Sequence, residues 1–106
     1  MTDKHIAVAD ILLDLEAALR ELNLWHSESP SAEALASTAP FAVDTLTFTQ
    51  WLQFMFLPRM HTLVTERGTL PVNCAIAPMA EEYFRPQSLN ASAVLVQLQR
   101  IDTLLS

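Results

Sequence analysis

The chain has 106 residues, a net charge of −6 and one cysteine, and these totals exclude several classes of protein. Its length fits a single domain with one core. The six Lys and Arg residues are scattered between Lys4 and Arg100, which disfavours direct binding to nucleic acid or an anionic membrane surface. Cys74 alone can form neither a disulfide nor a thiolate metal cluster within one chain. A single glycine argues against an all-β fold, which needs glycine at its tight turns.

A long amphipathic helix is predicted over about residues 4–23. Apolar residues recur there at steps of three and four and form one stripe, whereas Asp10 and Asp14 lie on the opposite face. The connection that follows is rich in Ser, Pro and Ala. Within it, Ser29-Pro30 indicates an N-cap followed by proline at the first helical position, so a short helix over about 31–36 is predicted.

The second long helix, over about residues 48–67, is the most unusual element because it is apolar almost all the way round. Thr47 and Gln50 fit a capping box at its start, and Gly68 is expected to supply the left-handed residue at its end. Pro58 lies inside this helix and has no N–H to donate. A kink or break near the proline is therefore predicted.

Two further helices complete the predicted fold. A short one is expected over about residues 79–84, and a last long one over about 89–105 places its apolar residues on one face, with Ser88 or Asn90 as its cap. Three long helices with short helices in the connections predict an all-α fold. We expect a small helical bundle that forms one domain over residues 1–106, with the apolar second helix in the middle.

Several short motifs resemble those of a known family. In chain order they are Ser37-Thr38-Ala39-Pro40-Phe41, Asp44-Thr45, Trp51-Leu52-Gln53, Pro58-Arg59-Met60-His61 and Ala77-Pro78. On these residues the chain resembles the YqcC-like family of small bacterial proteins of unknown function, over nearly its whole length. The resemblance implies a helical bundle without an assigned activity. Because the family's gene commonly lies near that of a tRNA pseudouridine synthase, it also implies an accessory role to that enzyme.

Arg59 is the most interesting single residue because it lies toward the apolar side of the second long helix. A buried guanidinium needs a carboxylate or several carbonyl partners, and Asp44, Glu81 and Glu82 are the candidates for an ion pair. We therefore predict that Arg59 is a structural clamp. The alternative is an anion-binding arginine at the mouth of a pocket beside Pro58. That pocket would be lined by Trp51, Arg59, His61 and Tyr83.

No catalytic or metal-binding constellation is assembled in the sequence. Cys74, His61 and Asp44 can be combined into a nucleophile set, but the motif contexts of cysteine hydrolases are missing. None of the three histidines has a glutamate three residues before it, as di-iron bundles require, and there is no paired Cys-x-x-Cys. We therefore expect no cofactor, no metal and no enzymatic activity.

A surplus of aromatic and Met side chains favours an exposed apolar patch. Met79, Tyr83 and Phe84, together with Trp25, do not all fit into so small a core. Trp25, Met79 and Tyr83 are therefore candidates for a surface that binds a protein partner or a second copy of the chain, as a homodimer. The alternative is that helix 79–84 covers the bundle as a lid. The N-terminus lacks a signal-peptide pattern and no apolar run reaches ~20 residues, so we expect a cytoplasmic protein without a membrane span.

The leading hypothesis from the sequence is a non-enzymatic protein-interaction or adaptor module. Two alternatives remain open. One is a small-ligand protein that binds anions near Pro58, and the other is an accessory to a tRNA pseudouridine synthase. In the second case the acidic balance of the chain predicts contact with the enzyme and not with the RNA.

Overall fold

The computed structural model of the chain describes residues 3–87 and 89–106. Its helices are α1 (Lys4–Glu21), α2 (Ala32–Leu35), α3 (Phe48–Trp51), α4 (Leu57–Glu66), α5 (Ile76–Phe84) and α6 (Ser92–Leu104). A 3₁₀ turn at Pro40–Ala42 precedes α3, and a π-helical turn at Leu52–Phe56 joins α3 to α4. These residues contain no strand, which confirms the predicted all-α fold. None of their helices is long and apolar enough to cross a lipid bilayer.

Helix α1 lies in the middle of the bundle, because both α4 and α6 pack against it. Its side chains at Val8, Leu12, Leu15 and Leu19 are completely buried. Helix α5 packs in turn against α6. The expectation that the second long helix is flanked by the first and the last is therefore wrong. The broad apolar stripe of α1 contacts both α4 and α6, whereas the second long helix packs mainly against α1 and touches α5 through Phe48.

The second long helix passes Pro58 without a break. We call it the Trp51 helix; it consists of α3, the π-helical turn and α4. The N–H of Leu57 donates to the carbonyl oxygen of Leu52, five residues earlier. Such a turn shifts the hydrogen-bond register by one residue, which lets the helix continue past a residue without an N–H. The helix is therefore not broken, and the irregularity near the proline is a wider turn directly before it.

The two ends of the Trp51 helix show one correct prediction and one error. The capping box is present, since the N–H of Gln50 donates to Thr47 Oγ1 (3.3 Å) and the N–H of Thr47 donates to Gln50 Oε1 (2.9 Å). At the other end the left-handed residue is Arg67 (φ 53°) and not Gly68. At Gly68 a Cβ would lie 2.9 Å from Leu63 Cδ2, a contact that a shift of the flexible Leu63 side chain relieves.

The short helix α5 begins at Ile76, three residues before the predicted start. The carboxylate of Asp102 in α6 accepts hydrogen bonds from the backbone N–H groups of Ile76 (2.9 Å) and Ala77 (2.8 Å). A carboxylate at this position accepts hydrogen bonds from N–H groups that have no partner within the helix. Its negative charge is also stabilised by the positive end of the helix dipole. The local sequence shows no cap because the cap comes from residue 102.

The caps of α2 and α6 also differ from the predictions. Ser31, and not Ser29, caps α2, since its hydroxyl accepts from the N–H of Ala34 (3.1 Å). Helix α6 begins at Ser92, three residues after the predicted start. Asn90 does take part there, because its side-chain oxygen accepts from the N–H of Ser92 (3.1 Å). Ser88, the other predicted cap, lies outside the described residues.

The buried side chain of Gln53 fixes the connection after α1 to the Trp51 helix. Its Oε1 accepts from the backbone N–H of His26 (2.7 Å), and its Nε2 donates to the carbonyl oxygen of His26 (2.8 Å). Thr49 Oγ1 lies 3.2 Å from His26 Nε2 and extends the network. A buried amide is stable only when such partners are present, so Gln53 in the Trp-Leu-Gln motif has a structural role.

Helix α1 is also attached to the far end of α4. The carboxylate of Asp3 caps α1 by accepting from the N–H of His5, and it pairs with the guanidinium of Arg67 at 2.7 Å. The hydrogen bond from Arg67 lowers the pKa of Asp3 below its ordinary value. His5 Nε2 donates to the carbonyl oxygen of Gly68 (2.7 Å). These contacts hold the Trp51 helix against α1 along one side.

Candidate functional site

The opposite side of the Trp51 helix borders an apolar groove of about 310 Å³. We call it the Trp51 groove. Buried residues of the core form its floor. Its walls come from the 3₁₀ turn, the Trp51 helix and the segment before α5, and they include Phe41, Trp51, Met55, Arg59, Pro71 and Cys74.

The residues of the Trp51 helix that face this groove lie along one strip. Trp51, Met55 and Arg59 follow one another at steps of four. Residues four apart are neighbours on one face of a helix. Trp51 and Met55 are only half-buried, although the other side of the same helix is part of the core. The apolar residues all round this helix therefore form two different surfaces: one packs into the core, and the other lines the groove.

Phe41 reaches the groove through an unusual backbone turn. Phe41 (φ 55°) and Ala42 (φ 49°) are both left-handed, a conformation that costs non-glycine residues about 1–3 kcal/mol each. The turn places the Phe41 ring edge-on against Trp51, with 4.7 Å between the ring centroids. The Pro-Phe motif identified this residue, but nothing in the sequence predicted the left-handed pair.

A second depression of about 230 Å³ lies on the other side of Phe41. Met79 and Tyr83 of α5 line it together with Val43, whose side chain is 62% exposed. Because Phe41 borders both depressions, they form one continuous surface, which we call the apolar face. It comprises Phe41, Val43, Trp51, Met55, Met79 and Tyr83.

The predicted structural clamp at Arg59 is wrong. Arg59 is exposed, and none of the described residues forms an ion pair with it. Two of the proposed partners make other contacts, since Asp44 accepts from the Ser37 hydroxyl (2.5 Å) and Glu82 pairs with Arg85 (2.9 Å). The third candidate, Glu81, is exposed. The clamp fails because Arg59 is exposed at the rim of the groove, so its guanidinium stays in solvent.

The structure separates the remaining candidate residues. His61 is exposed and lines neither depression of the apolar face. Trp25 packs against the core at the end of α1, under the guanidinium of Arg20, which lies 4.5 Å from its ring centroid. The predicted pocket therefore contains Trp51 and Arg59, with Tyr83 in the adjoining depression and His61 outside.

Cys74 lines the groove, and its surroundings disfavour the thiolate form. Burial raises the pKa of its thiol, and the nearby charge of Asp102 raises it further. A raised pKa leaves the thiol protonated at neutral pH and lowers its reactivity. Neither His61 nor Asp44 lines the groove beside it. Across residues 3–87 and 89–106, no three His, Cys, Asp or Glu side chains form a group that could hold a metal ion.

Comparison with known proteins identifies the family. The family model described as "tRNA pseudouridine synthase C" (DUF446) matches residues 7–104. The chain belongs to this family. An uncharacterized protein YqcC from Escherichia coli is 35% identical over 100 residues, which cover 94% of this chain and 92% of that protein. The solution NMR structure of protein YqcC from E. coli matches with a TM-score of 0.85 at 34% identity, covering 98% of this chain and 89% of that one.

Two further relatives differ in length. An uncharacterized protein of Haemophilus influenzae is 42% identical over 71 residues, which cover 67% of each chain. A tRNA pseudouridine synthase C of Pectobacterium carotovorum is 47% identical over 64 residues, which cover 60% of this chain and 17% of that protein. The YqcC-like resemblance is confirmed. The synthase name describes a longer protein, most of which lies outside the shared segment.

Proposed function

We propose that this chain is a non-enzymatic cytoplasmic interaction module whose apolar face binds a larger protein. The observation that supports this proposal is the Trp51 groove. Trp51 and Met55 remain half-buried at an open surface, although the core on the other side of the same helix is fully packed. A contiguous apolar surface of this kind commonly marks a protein interface, with aromatic and Met residues at its centre.

The partner that we propose is tRNA pseudouridine synthase C. In the Pectobacterium relative, a segment similar to this chain is a small part of one long polypeptide with that name. Covalent joining maintains a high effective concentration of two parts that work together, so separate chains related to those parts are candidates to associate. The net charge of −6 favours contact with the enzyme over contact with tRNA.

Isothermal titration calorimetry of the chain with tRNA pseudouridine synthase C from the same organism tests the proposal. We expect binding with a dissociation constant of about 1 μM or tighter. Met55→Glu places a charge in the groove and should weaken binding at least ~10-fold. Leu13→Glu is the matched control, because Leu13 is 65% exposed on α1 and outside the groove. It should bind like the wild type.

Three results would contradict the proposal. The first is no heat and no co-elution of the two folded proteins at tens of micromolar, about tenfold or more above the expected dissociation constant. The second is equal affinity of Met55→Glu and Leu13→Glu, which would separate binding from the apolar face. The third is a gel shift of tRNA by this chain alone, which would show that the RNA is the direct partner.

A small-anion binding protein is the second candidate function. The observation in its favour is Arg59, exposed at the rim of the Trp51 groove. A thermal-shift screen of inorganic phosphate and small carboxylates tests it. A ligand at a hundredfold excess over its dissociation constant stabilises the fold by about 2.7 kcal/mol, which a melting curve resolves. A shift that Arg59→Gln abolishes would favour this candidate, and no shift would dismiss it.

Self-association through the apolar face is the remaining alternative for the partner. Light scattering of the chain over a range of concentrations distinguishes it from binding to the synthase. A dimer that Met55→Glu dissociates would assign the face to a second copy. A monomer that binds the synthase would leave the main proposal in place.

A further inference from the structure

Arg59 differs from every other arginine of the described chain in its surroundings. The guanidinium groups of Arg20, Arg67, Arg85 and Arg100 each lie within 3.1 Å of a carboxylate oxygen, from Glu16, Asp3, Glu82 and Asp14 respectively. The part of the chain that the structure describes gives Arg59 no such partner. Twelve carboxylates are present against six basic residues, so an unpaired arginine cannot be explained by a shortage of acids.

Arg59 lies where a segment bound in the groove would cover it, so the lack of a carboxylate partner among the described residues matters for binding. It lies one helical turn beyond Met55 on the wall of an apolar groove that Cys74 and Pro71 also line. A protein segment that fills the groove also removes water from Arg59. The guanidinium cannot lose its proton, so covering it is unfavourable unless the segment supplies an acceptor. The best acceptor is a carboxylate, because it accepts two parallel hydrogen bonds from the guanidinium.

We infer that the partner segment bound in the Trp51 groove combines an apolar anchor residue with a neighbouring Asp or Glu whose carboxylate pairs with Arg59. This inference rests on the proposed function and adds the chemistry of the bound segment. The apolar anchor packs between Phe41, Trp51 and Met55, and the carboxylate lies at the rim. A nucleic-acid phosphate fits less well, because phosphate binding requires several clustered cations and the net charge here is −6.

The test measures synthase binding by Arg59→Gln against Arg100→Gln. Both variants remove one positive charge, and both side chains are exposed, so both should fold, which melting curves verify. Arg100 pairs with Asp14 and lies outside the groove. We expect Arg59→Gln to weaken binding roughly 10- to 100-fold, as expected for a charge-assisted hydrogen bond that becomes buried, and Arg100→Gln to change it less than about 2-fold.

A charge exchange identifies the carboxylate. Arg59→Glu should nearly abolish binding, and changing the partnering Asp or Glu of the synthase to Lys should restore it at least ~10-fold. A scan of acidic surface residues of the synthase finds the position. The affinity of the wild type should also fall with salt more steeply than that of Arg59→Gln.

The outcomes separate the two proposals. If Met55→Glu loses binding while Arg59→Gln binds like Arg100→Gln, the groove is an interface without the carboxylate, and this inference is overturned alone. If the wild type does not bind the synthase at all, the proposed function fails and this inference fails with it. If all variants bind equally, the interface lies elsewhere on the molecule.

Discussion

The two sides of the Trp51 helix are both apolar, but one is buried against α1 and the other borders an open groove. Leu52 and Leu57 are buried to within 2% of their surface, in the core on the side away from the groove. Trp51 and Met55 are half-buried in an open groove. Burial of apolar surface stabilises a fold by about 25 cal/mol for each Å². The open side of the helix therefore contributes less to the free energy of folding than the covered side does. The buried residues are thus required for folding, whereas the partly buried residues of the groove are available to a partner.

The arginines of the two sides show the same contrast. Arg67 directly follows α4 and pairs with Asp3 beside the N-terminus of α1. Arg59 lies two turns earlier in the same helix, at the open groove, and no described residue pairs with it. On the covered side, charge holds two elements together. On the open side it remains available to a ligand.

The largest difference is expected between Leu52 and Met55 of this helix. Leu52→Ala should lower the free energy of unfolding by about 2–5 kcal/mol, because Leu52 is completely buried and its truncation leaves a cavity in the core. Met55→Ala should cost less than Leu52→Ala, because Met55 is only partly buried, and should instead weaken synthase binding. Urea unfolding measures the first quantity and calorimetry the second. Equal destabilisation by the two variants would contradict a difference between the sides.

The buried amide of the covered side gives the next effect. Gln53→Leu leaves the N–H and carbonyl of His26 without their partners and should destabilise the fold by about 1–3 kcal/mol. Gln87→Leu is the control, since its exposed amide also donates to a backbone carbonyl, that of Tyr83, and should change stability by less than about 0.5 kcal/mol. Similar urea midpoints for both variants would show that the His26 contacts are not needed.

The smallest effect is a dependence of stability on acid pH. Because Arg67 lowers the pKa of Asp3, this pair stabilises the fold above the ordinary aspartate pKa of 3.8 and is lost as pH falls through the lowered value. Between about pH 5 and pH 2 the wild type should therefore lose more stability than Arg67→Gln. Arg59→Gln should follow the wild type, since Arg59 has no such carboxylate in the described chain. Parallel curves for the wild type and Arg67→Gln would contradict the role of the pair.

Local sequence signals predicted the elements of the fold well. Apolar periodicity identified α1 and α6, and the Thr47–Gln50 capping box identified the start of the Trp51 helix. The errors arose where distant residues determine a boundary. Helix α5 begins early because Asp102 caps it, and that contact spans 26 residues. No local pattern near Ile76 announces it.

The candidate site was predicted only in part, for a similar reason. Trp51 and Arg59 line the same groove, because both lie on one helix at a spacing that the sequence shows. The surroundings of Arg59 depend on which side of that helix is covered, and the sequence cannot show this when both sides are apolar. The contribution of Phe41 depends on a left-handed backbone turn that its residue type disfavours. His61 and Trp25 were included for their chemistry, and the fold places neither on the apolar face.

The most direct test of a docking role for the Trp51 groove uses Cys74, the only cysteine of the chain. Its thiol lines the groove, so a bound partner should shield it. Alkylation of Cys74 by N-ethylmaleimide is followed by mass spectrometry with and without saturating tRNA pseudouridine synthase C, at about pH 8, because its raised pKa slows the reaction at lower pH. The control is Cys74→Ser combined with Leu13→Cys, which reports an exposed position outside the groove.

We expect the synthase to slow alkylation of Cys74 at least ~10-fold, as for a thiol that becomes buried in an interface, and to leave the control thiol at its original rate. An unchanged rate at Cys74, under conditions in which calorimetry shows the synthase bound, would contradict the assignment of the Trp51 groove as the docking surface.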